Sequence, residues 1–166
     1  MSILLLFSLV LFSLLCSAFF SGMEIAFISS NKLKIELDNN KGEIGAKILS
    51  YFSDKPAWFI ATMLVGNNIA LVIYTLYMAV LLDPYLMAAG LGSSSILLLQ
   101  TTFSTIFILI FAEFLPKAIF RLNPNFILKL FSGILLVFYI LLWPITALVV
   151  YLTRVILRFF GKEDGS

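Results

Sequence analysis

NKLKIELDNNKGEIGAKILSYFSDK, residues 31–55, holds nine of the chain's twenty charged residues. It carries Lys32, Lys34, Lys41, Lys47 and Lys55 against Glu36, Asp38, Glu43 and Asp54, between two long apolar runs that hold almost no charge. Leu33, Ile35 and Leu37 precede an Asn39-Asn40-Lys41-Gly42 turn signal, and Ile44, Ile48, Leu49 and Phe52 follow at helical spacing. That pattern predicts a short helix-turn-helix lying on a membrane surface, with its apolar side down and its charges in water.

The flanks supply the membrane. Upstream, the apolar run from Ile3 to Phe20 continues weakly to Ile28. No Lys or Arg precedes it and it is longer than a signal-peptide core, so it reads as a first crossing. Downstream, a second crossing is expected from Pro56 to Leu82, with Pro56 suited to a first helical turn and Asp83-Pro84 as its end. A short Gly/Ser-rich loop over 83–95 follows, in which Ser93-Ser94-Ser95 is solvated and caps the next helix. The third crossing is expected from Ile96 to Leu115, closed by Pro116-Lys117. The last apolar stretch, Phe126 to Ile156, contains Pro144. A spanning helix needs about 20 apolar residues, so three or four such stretches account for nearly the whole chain.

Composition agrees. Of the 166 residues, 61% are hydrophobic and 12% charged, against roughly 45–50% and about 25% in soluble domains. That little charge cannot coat a soluble globule. The fold class is therefore all-α integral membrane, with one transmembrane domain over residues 1–160 and a tail over 161–166. The chain has no histidine, which removes Ser–His and Cys–His catalysis and the commonest zinc ligand; an enzyme is not expected. Cys16 is alone and cannot form an intrachain disulfide. A net charge of +2 gives no case for nucleic acid.

Basic residues orient the spans. Of the eleven Lys and Arg, five lie in 31–55, three in 117–129 (Lys117, Arg121, Lys129) and three in 154–162 (Arg154, Arg158, Lys162). The positive-inside rule puts all three groups in the cytoplasm. Three crossings satisfy it with the N-terminus outside and the C-terminus inside the cell membrane. The last stretch has basic residues at both ends, so it is expected to stay on the inner side as a juxtamembrane helix, in the interfacial plane or bent near Pro144. A plain fourth span is the alternative.

Ionisable residues inside spans are rare and usually face a bundle interior or cavity. Here they are Glu24 and Glu113, both near the cytoplasmic ends of their helices. Ser21 and Gly22 lie beside Glu24, and Gly66-Asn67-Asn68 falls about 15 Å along the second helix from Pro56, near mid-membrane. Carboxylate, amide, hydroxyl and backbone carbonyl oxygens at matching depth on three helices suit a hard cation such as Mg²⁺ or Na⁺. Each element also has a plainer role. Ser21-Gly22 can be a small-residue helix contact, and Asn67-Asn68 interhelical hydrogen-bonding glue. Glu113 can pair with Lys117 one turn on, and Glu24 with Lys117 across helices. Trp58 and Tyr85 read as anchors at opposite interfaces.

Three patterns carry a resemblance: Ser21-Gly22-x-Glu24-x-Ala26 leading into the basic segment, Gly66-Asn67 in the second span, and Glu113-x-x-Pro116-Lys117 closing the third. In this order they resemble the transmembrane domain of the CorC / cyclin M (CNNM) magnesium transporter family. The resemblance implies three transmembrane helices plus a juxtamembrane helix, assembled as a homodimer. It also implies Mg²⁺ export, with Na⁺ exchange proposed for some members. Carried over by motif, Ser21, Gly22, Asn67, Asn68 and Glu113 contribute to the ion site, with Asn67 and Asn68 unranked. Glu24 and Lys117 form a pairing or gating couple. Family members usually continue into cytoplasmic CBS domains that bind nucleotide. This chain ends at residues 161–166, where those domains would begin, so a truncated chain is expected, or else a member without that control. A non-transporting membrane scaffold or sensor, whose polar groups serve dimer packing, is the rival reading. A lipid-modifying enzyme is the third, and lacks a nucleophile.

Overall fold

The computed structural model describes residues 2–90 and 92–160; the tail at 161–166, with Lys162, lies outside the described residues. Every element is helical: α1 (Ile3–Ser29), α2 (Lys32–Asn40), α3 (Ile44–Asp54), α4 (Pro56–Ala88), α5 (Ser93–Phe107), a π-helical segment (Ile108–Phe114), α6 (Leu115–Phe120) and α7 (Pro124–Phe160). Four stretches are long and apolar enough to cross a membrane: Ile3–Ser29, Pro56–Ala88, Ser93–Phe120 and Pro124–Arg158. By length and composition the last is a candidate span like the others.

The charged segment forms two short helices joined by a turn, as its residue pattern predicts. Asn31 caps α2 by accepting from the Lys34 N–H at 3.1 Å, and Gly42 turns the chain at φ +82°, a conformation costly for any residue with a Cβ. Ile35, Leu49 and Phe52 are buried against α1, α4 and α7. Three boundaries differ from expectation. Helix α4 does not stop at Asp83-Pro84 but runs on to Ala88. Ser93-Ser94-Ser95 is not a loop: it is the first turn of α5, with Gly92 at the N-cap. Pro116 does not close the third helix, which continues to Phe120. A proline ring inside an α-helix collides with the carbonyl four residues back. Widening the preceding turns relieves that collision, and the π-helical turns sit directly before Pro116.

Helix α1 is the centre of the bundle, in contact with α4, α6, α7 and the π-helical segment. Two cores divide it lengthwise. Near its C-terminal end, Phe20, Met23, Ala26 and Phe27 pack with Phe52 of α3, Phe59 and Met63 of α4, and Leu128, Leu135, Tyr139 and Leu142 of α7. Nearer its N-terminus, Val10 and Leu14 pack with Tyr74 and Met78 of α4 and Ala112 of the π-helical segment. Helix α7 contributes only to the first. Its buried residues Leu128, Leu135, Tyr139 and Leu142 form one stripe, Trp58 stacks on Trp143 with centroids 6.5 Å apart, and Tyr139 lies 5.0 Å from Phe52.

Helix α7 is also tied to the charged segment. Lys129 Nζ donates to Asp38 Oδ2 at 2.8 Å and to Glu43 Oε2 at 2.6 Å, so one ammonium clamps both ends of the α2–α3 turn. Asn125 Nδ2 donates to the Asn31 carbonyl at 3.0 Å, and Asn125 Oδ1 accepts from the Asn31 N–H at 3.0 Å. Gly45 seats α3 on this corner: a Cβ there would lie 3.0 Å from Ser132 Oγ and 3.2 Å from the Lys129 carbonyl.

Candidate functional site

Ser13, Ser17 and Ser21 recur every fourth residue of α1, and all three are buried on one face. Fourfold spacing aligns side chains on a helix, and this face meets α4. Ser17 Oγ donates to Asn67 Oδ1 at 2.6 Å, joining α1 to α4 through a polar bond. Ser13 Oγ turns back to the Val10 carbonyl at 3.0 Å. Ser21 is 1% exposed, and its Oγ is a buried polar atom without a hydrogen-bond partner. Such an atom costs about 1–3 kcal/mol unless something satisfies it. Ser53 Oγ, Tyr74 Oη and Thr146 Oγ1 are buried without a partner too; Ser21 differs in lying one turn from the Ser17–Asn67 bond.

The two glycines have a different role. A Cβ on Gly66 would meet the Phe20 ring at 2.6 Å, and one on Gly22 would meet the Phe120 ring at 2.5 Å. Gly66 thus brings α4 against α1 at the level of Asn67, and Gly22 seats α6 behind Ser21. They set helix spacing, and Asn67 and Ser21 take their positions from it.

The π-helical segment brings the third element. Ala112 is fully buried, packed into the core with Val10 and Leu14 of α1, and Glu113 follows it, half-buried. The Leu115 N–H donates to the Ile110 carbonyl, five residues back. Pro116 has no N–H. The Phe111 carbonyl, whose helical donors would be residue 115 or 116, therefore has neither. A backbone oxygen is freed in the turn that packs against α1.

Of the residues singled out from sequence, Ser21, Gly22, Asn67 and Glu113 come to the interfaces among α1, α4 and the third helix. Asn68 does not: it is exposed on the outer face of α4, with Leu71, Val72, Thr75 and Leu76. Glu24 is half-buried, and the charges of Lys117 and Glu113 both reach it. Among the described residues, ion pairs within 4 Å are confined to Asp38 with Lys41 and Lys129, and Glu43 with Lys129, so Glu24 and Lys117 are neighbours without direct contact. Ser17 is the residue the sequence reading missed; its signal was the fourfold serine spacing. Among the described residues no three Cys, Asp or Glu side chains gather as a metal cluster. The polar side chains these helices bring to their interfaces are the Ser17 and Ser21 hydroxyls, the Asn67 amide and the Glu113 carboxylate.

Residues 8–166 match the family described as the cyclin M transmembrane N-terminal domain. Among curated proteins, the chain is 29% identical over 149 residues to the UPF0053 inner membrane protein YfjD of Escherichia coli, covering 89% of this chain and 33% of that protein. It is 29% identical over 136 residues to the UPF0053 protein MG146 homolog of Mycoplasma pneumoniae, covering 80% of this chain and 31% of that one. A UPF0053 protein of Haemophilus influenzae matches at 27% over 142 residues, 83% of this chain and 32% of its own length. The chain thus spans about a third of the length of these relatives.

Proposed function

The chain belongs to the cyclin M transmembrane domain family, and from that premise we propose that this multi-pass membrane protein transports Mg²⁺ through a site between α1, α4 and the π-helical segment. The observation that carries the reading is the buried, unpartnered Ser21 Oγ beside the Ser17–Asn67 pair, with Glu113 on the third helix. Mg²⁺ demands six oxygens in near-octahedral array and gives up water reluctantly. Hydroxyl, amide and freed carbonyl oxygens replace part of its shell, and the Glu113 carboxylate supplies the charge. Ser17 and Ser21 on α1, Asn67 on α4 and Glu113 are the proposed ligands. Gly22 and Gly66 set the helix spacing, Glu24 and Lys117 gate the inner side, and Asn68 has no ligand role. Alternating access moves α4 and the third helix against α1, and Na⁺ entering from outside is the coupling ion. The transporting unit is a homodimer, and nucleotide acts only through CBS domains outside these residues.

The topology is part of the proposal: N-terminus outside, three crossings, and α7 along the cytoplasmic face. Two features of α7 favour it over a fourth span. At about 100° per residue, Lys129, Arg154 and Arg158 fall within an arc of about 40°, so the basic residues at both ends of α7 sit on one side of the helix and suit one membrane surface. Its two halves also return to the same corner, since Lys129 bonds Asp38 and Glu43 while Trp143 stacks on Trp58 and Arg154 lines a cavity with Asp54 and Lys55.

The test is titration of purified protein with Mg²⁺. Ser21→Ala, Asn67→Ala and Glu113→Ala each weaken binding, whereas Asn68→Ala does not; native affinity in both Asn67→Ala and Glu113→Ala would remove the site. The close approaches at Gly22 and Gly66 support a second reading, a non-transporting scaffold. In that case the same substitutions lower dimer stability and leave ion flux unchanged.

A further inference from the structure

Beside the α3–α4 junction lies a cavity of 480 Å³ lined by Tyr51, Asp54, Lys55, Trp58, Tyr139, Trp143 and Arg154 among others. It is separate from the ion site, and its make-up is that of a boundary between lipid and water. Trp58 and Trp143 stack nearly parallel, 15° apart in plane. Tyr51 and Tyr139 meet edge to face at 6.1 Å. Aromatic side chains with one polar edge concentrate at membrane interfaces, and here four of them, from three helices, form one wall. Lys55 immediately precedes Pro56, where α4 begins its long apolar run.

The charges decide the occupant. Lys55 Nζ donates to Tyr51 Oη at 3.3 Å and sits 4.7 Å from the centre of that ring. Neither Lys55 nor Arg154 has a carboxylate within 4 Å among the described residues. Asp54 lines the same cavity, so two cations and one anion leave a net positive charge. The stacked tryptophans close one side while Trp143 stays 54% exposed. Positive charge over an aromatic wall at the foot of a membrane helix matches an anionic headgroup whose chains lie in the bilayer.

We propose that this cavity binds the headgroup of an anionic phospholipid, with its phosphate between Lys55 and Arg154 and its glycerol against Trp58 and Trp143. The inference uses the placement of the chain in a membrane and is independent of the ion reading. Bound lipid would fasten α7 to the α3–α4 junction.

The chain offers its own probe, because its two tryptophans are Trp58 and Trp143 and both line the cavity. The experiment reconstitutes the protein in vesicles doped with phosphatidylglycerol or phosphatidylcholine carrying brominated acyl chains, and reads quenching of tryptophan emission. Phosphatidylglycerol is expected to quench at lower mole fraction than phosphatidylcholine. Lys55→Ala and Arg154→Ala should each reduce that preference about fivefold, and Asp54→Asn should raise it by a similar factor. All three side chains are exposed, and unquenched emission in bromine-free vesicles checks that the variants fold. Equal quenching by the two lipids, or an unchanged preference in the Lys55→Ala/Arg154→Ala double variant, overturns the proposal. Loss of the preference on adding millimolar inorganic phosphate at constant ionic strength also overturns it, by assigning the site to free phosphate.

Discussion

Gly66→Ala probes how closely α4 must approach α1. The added Cβ would lie 2.6 Å from Cε1 and Cζ of Phe20 and 2.8 Å from Cδ1. Carbon atoms pack at about 3.5–4.0 Å, so ring or helix must move by about 1 Å. The ring is not free on all sides, since it packs against Phe138 at 4.9 Å and Phe19 at 5.6 Å. It does border an apolar cavity of 180 Å³ lined also by Ile69, Ile73 and Leu141, into which part of the strain can relax. Overpacking a core costs about 1–3 kcal/mol, and the cavity places Gly66→Ala toward the lower half of that range. The neighbouring Ser17–Asn67 bond would lengthen as α4 shifts, so Mg²⁺ binding should weaken together with stability. Reversible unfolding in mixed micelles, followed by tryptophan emission, measures the cost. A Gly66→Ala/Phe20→Leu double variant should recover part of it, giving a coupling energy beyond additivity. A Gly66→Ala protein within about 0.5 kcal/mol of the parent, with no coupling to position 20, would refute the close-approach argument.

Three further outcomes follow from the same geometry. Ser17→Ala removes the donor to the half-buried Asn67 Oδ1 and should weaken both stability and Mg²⁺ affinity, the stability loss being about 1 kcal/mol; Asn68→Ala, measured beside it by calorimetry, should change neither. Pro116→Ala restores an N–H at the π-helical turn, so the third helix should revert toward α geometry and lose Mg²⁺ affinity while keeping its helix content by circular dichroism. The Lys129 ammonium holds the Asp38 carboxyl below its usual range. A carboxylate with a depressed folded pKa stabilises fully above its unfolded value and loses that contribution as pH falls through the folded one. The α2–α3 clamp should therefore stay closed at pH 5 and release only below about pH 4, seen as faster amide exchange in α2 and α3. Asp38→Asn should abolish that acid step.

Much of the architecture could be read from charge and apolar length alone, because lipid leaves few alternatives to long helices. The α2–α3 hairpin was legible for a local reason: its turn residues and its period lie within one segment. The π-helical turn was not. Pro116 reads as a terminator unless the widened turns before it are seen, and their carbonyl register leaves no mark in residue types. Ser17 was hidden because a serine in an apolar run looks like filler, and only the α4 helix facing it makes the fourfold spacing meaningful. Asn67 and Asn68 are about 100° apart on one helix, so which of them meets α1 depends on how α4 is rotated. The Lys129 clamp joins residues 86 and 91 positions apart, a separation at which charge patterning carries no pairing information.

The proposed cation lies between α1, α4 and the π-helical turn. Anomalous scattering from Mn²⁺ substituted for Mg²⁺ in the full-length protein tests it most directly, since both ions favour octahedral oxygen sites. The expected result is a peak surrounded by oxygens of Ser17, Ser21, Asn67 and Glu113, displaced by excess Mg²⁺, with bonds of about 2.0–2.1 Å in the Mg²⁺ form. A peak elsewhere, or none at saturating Mn²⁺, would contradict it.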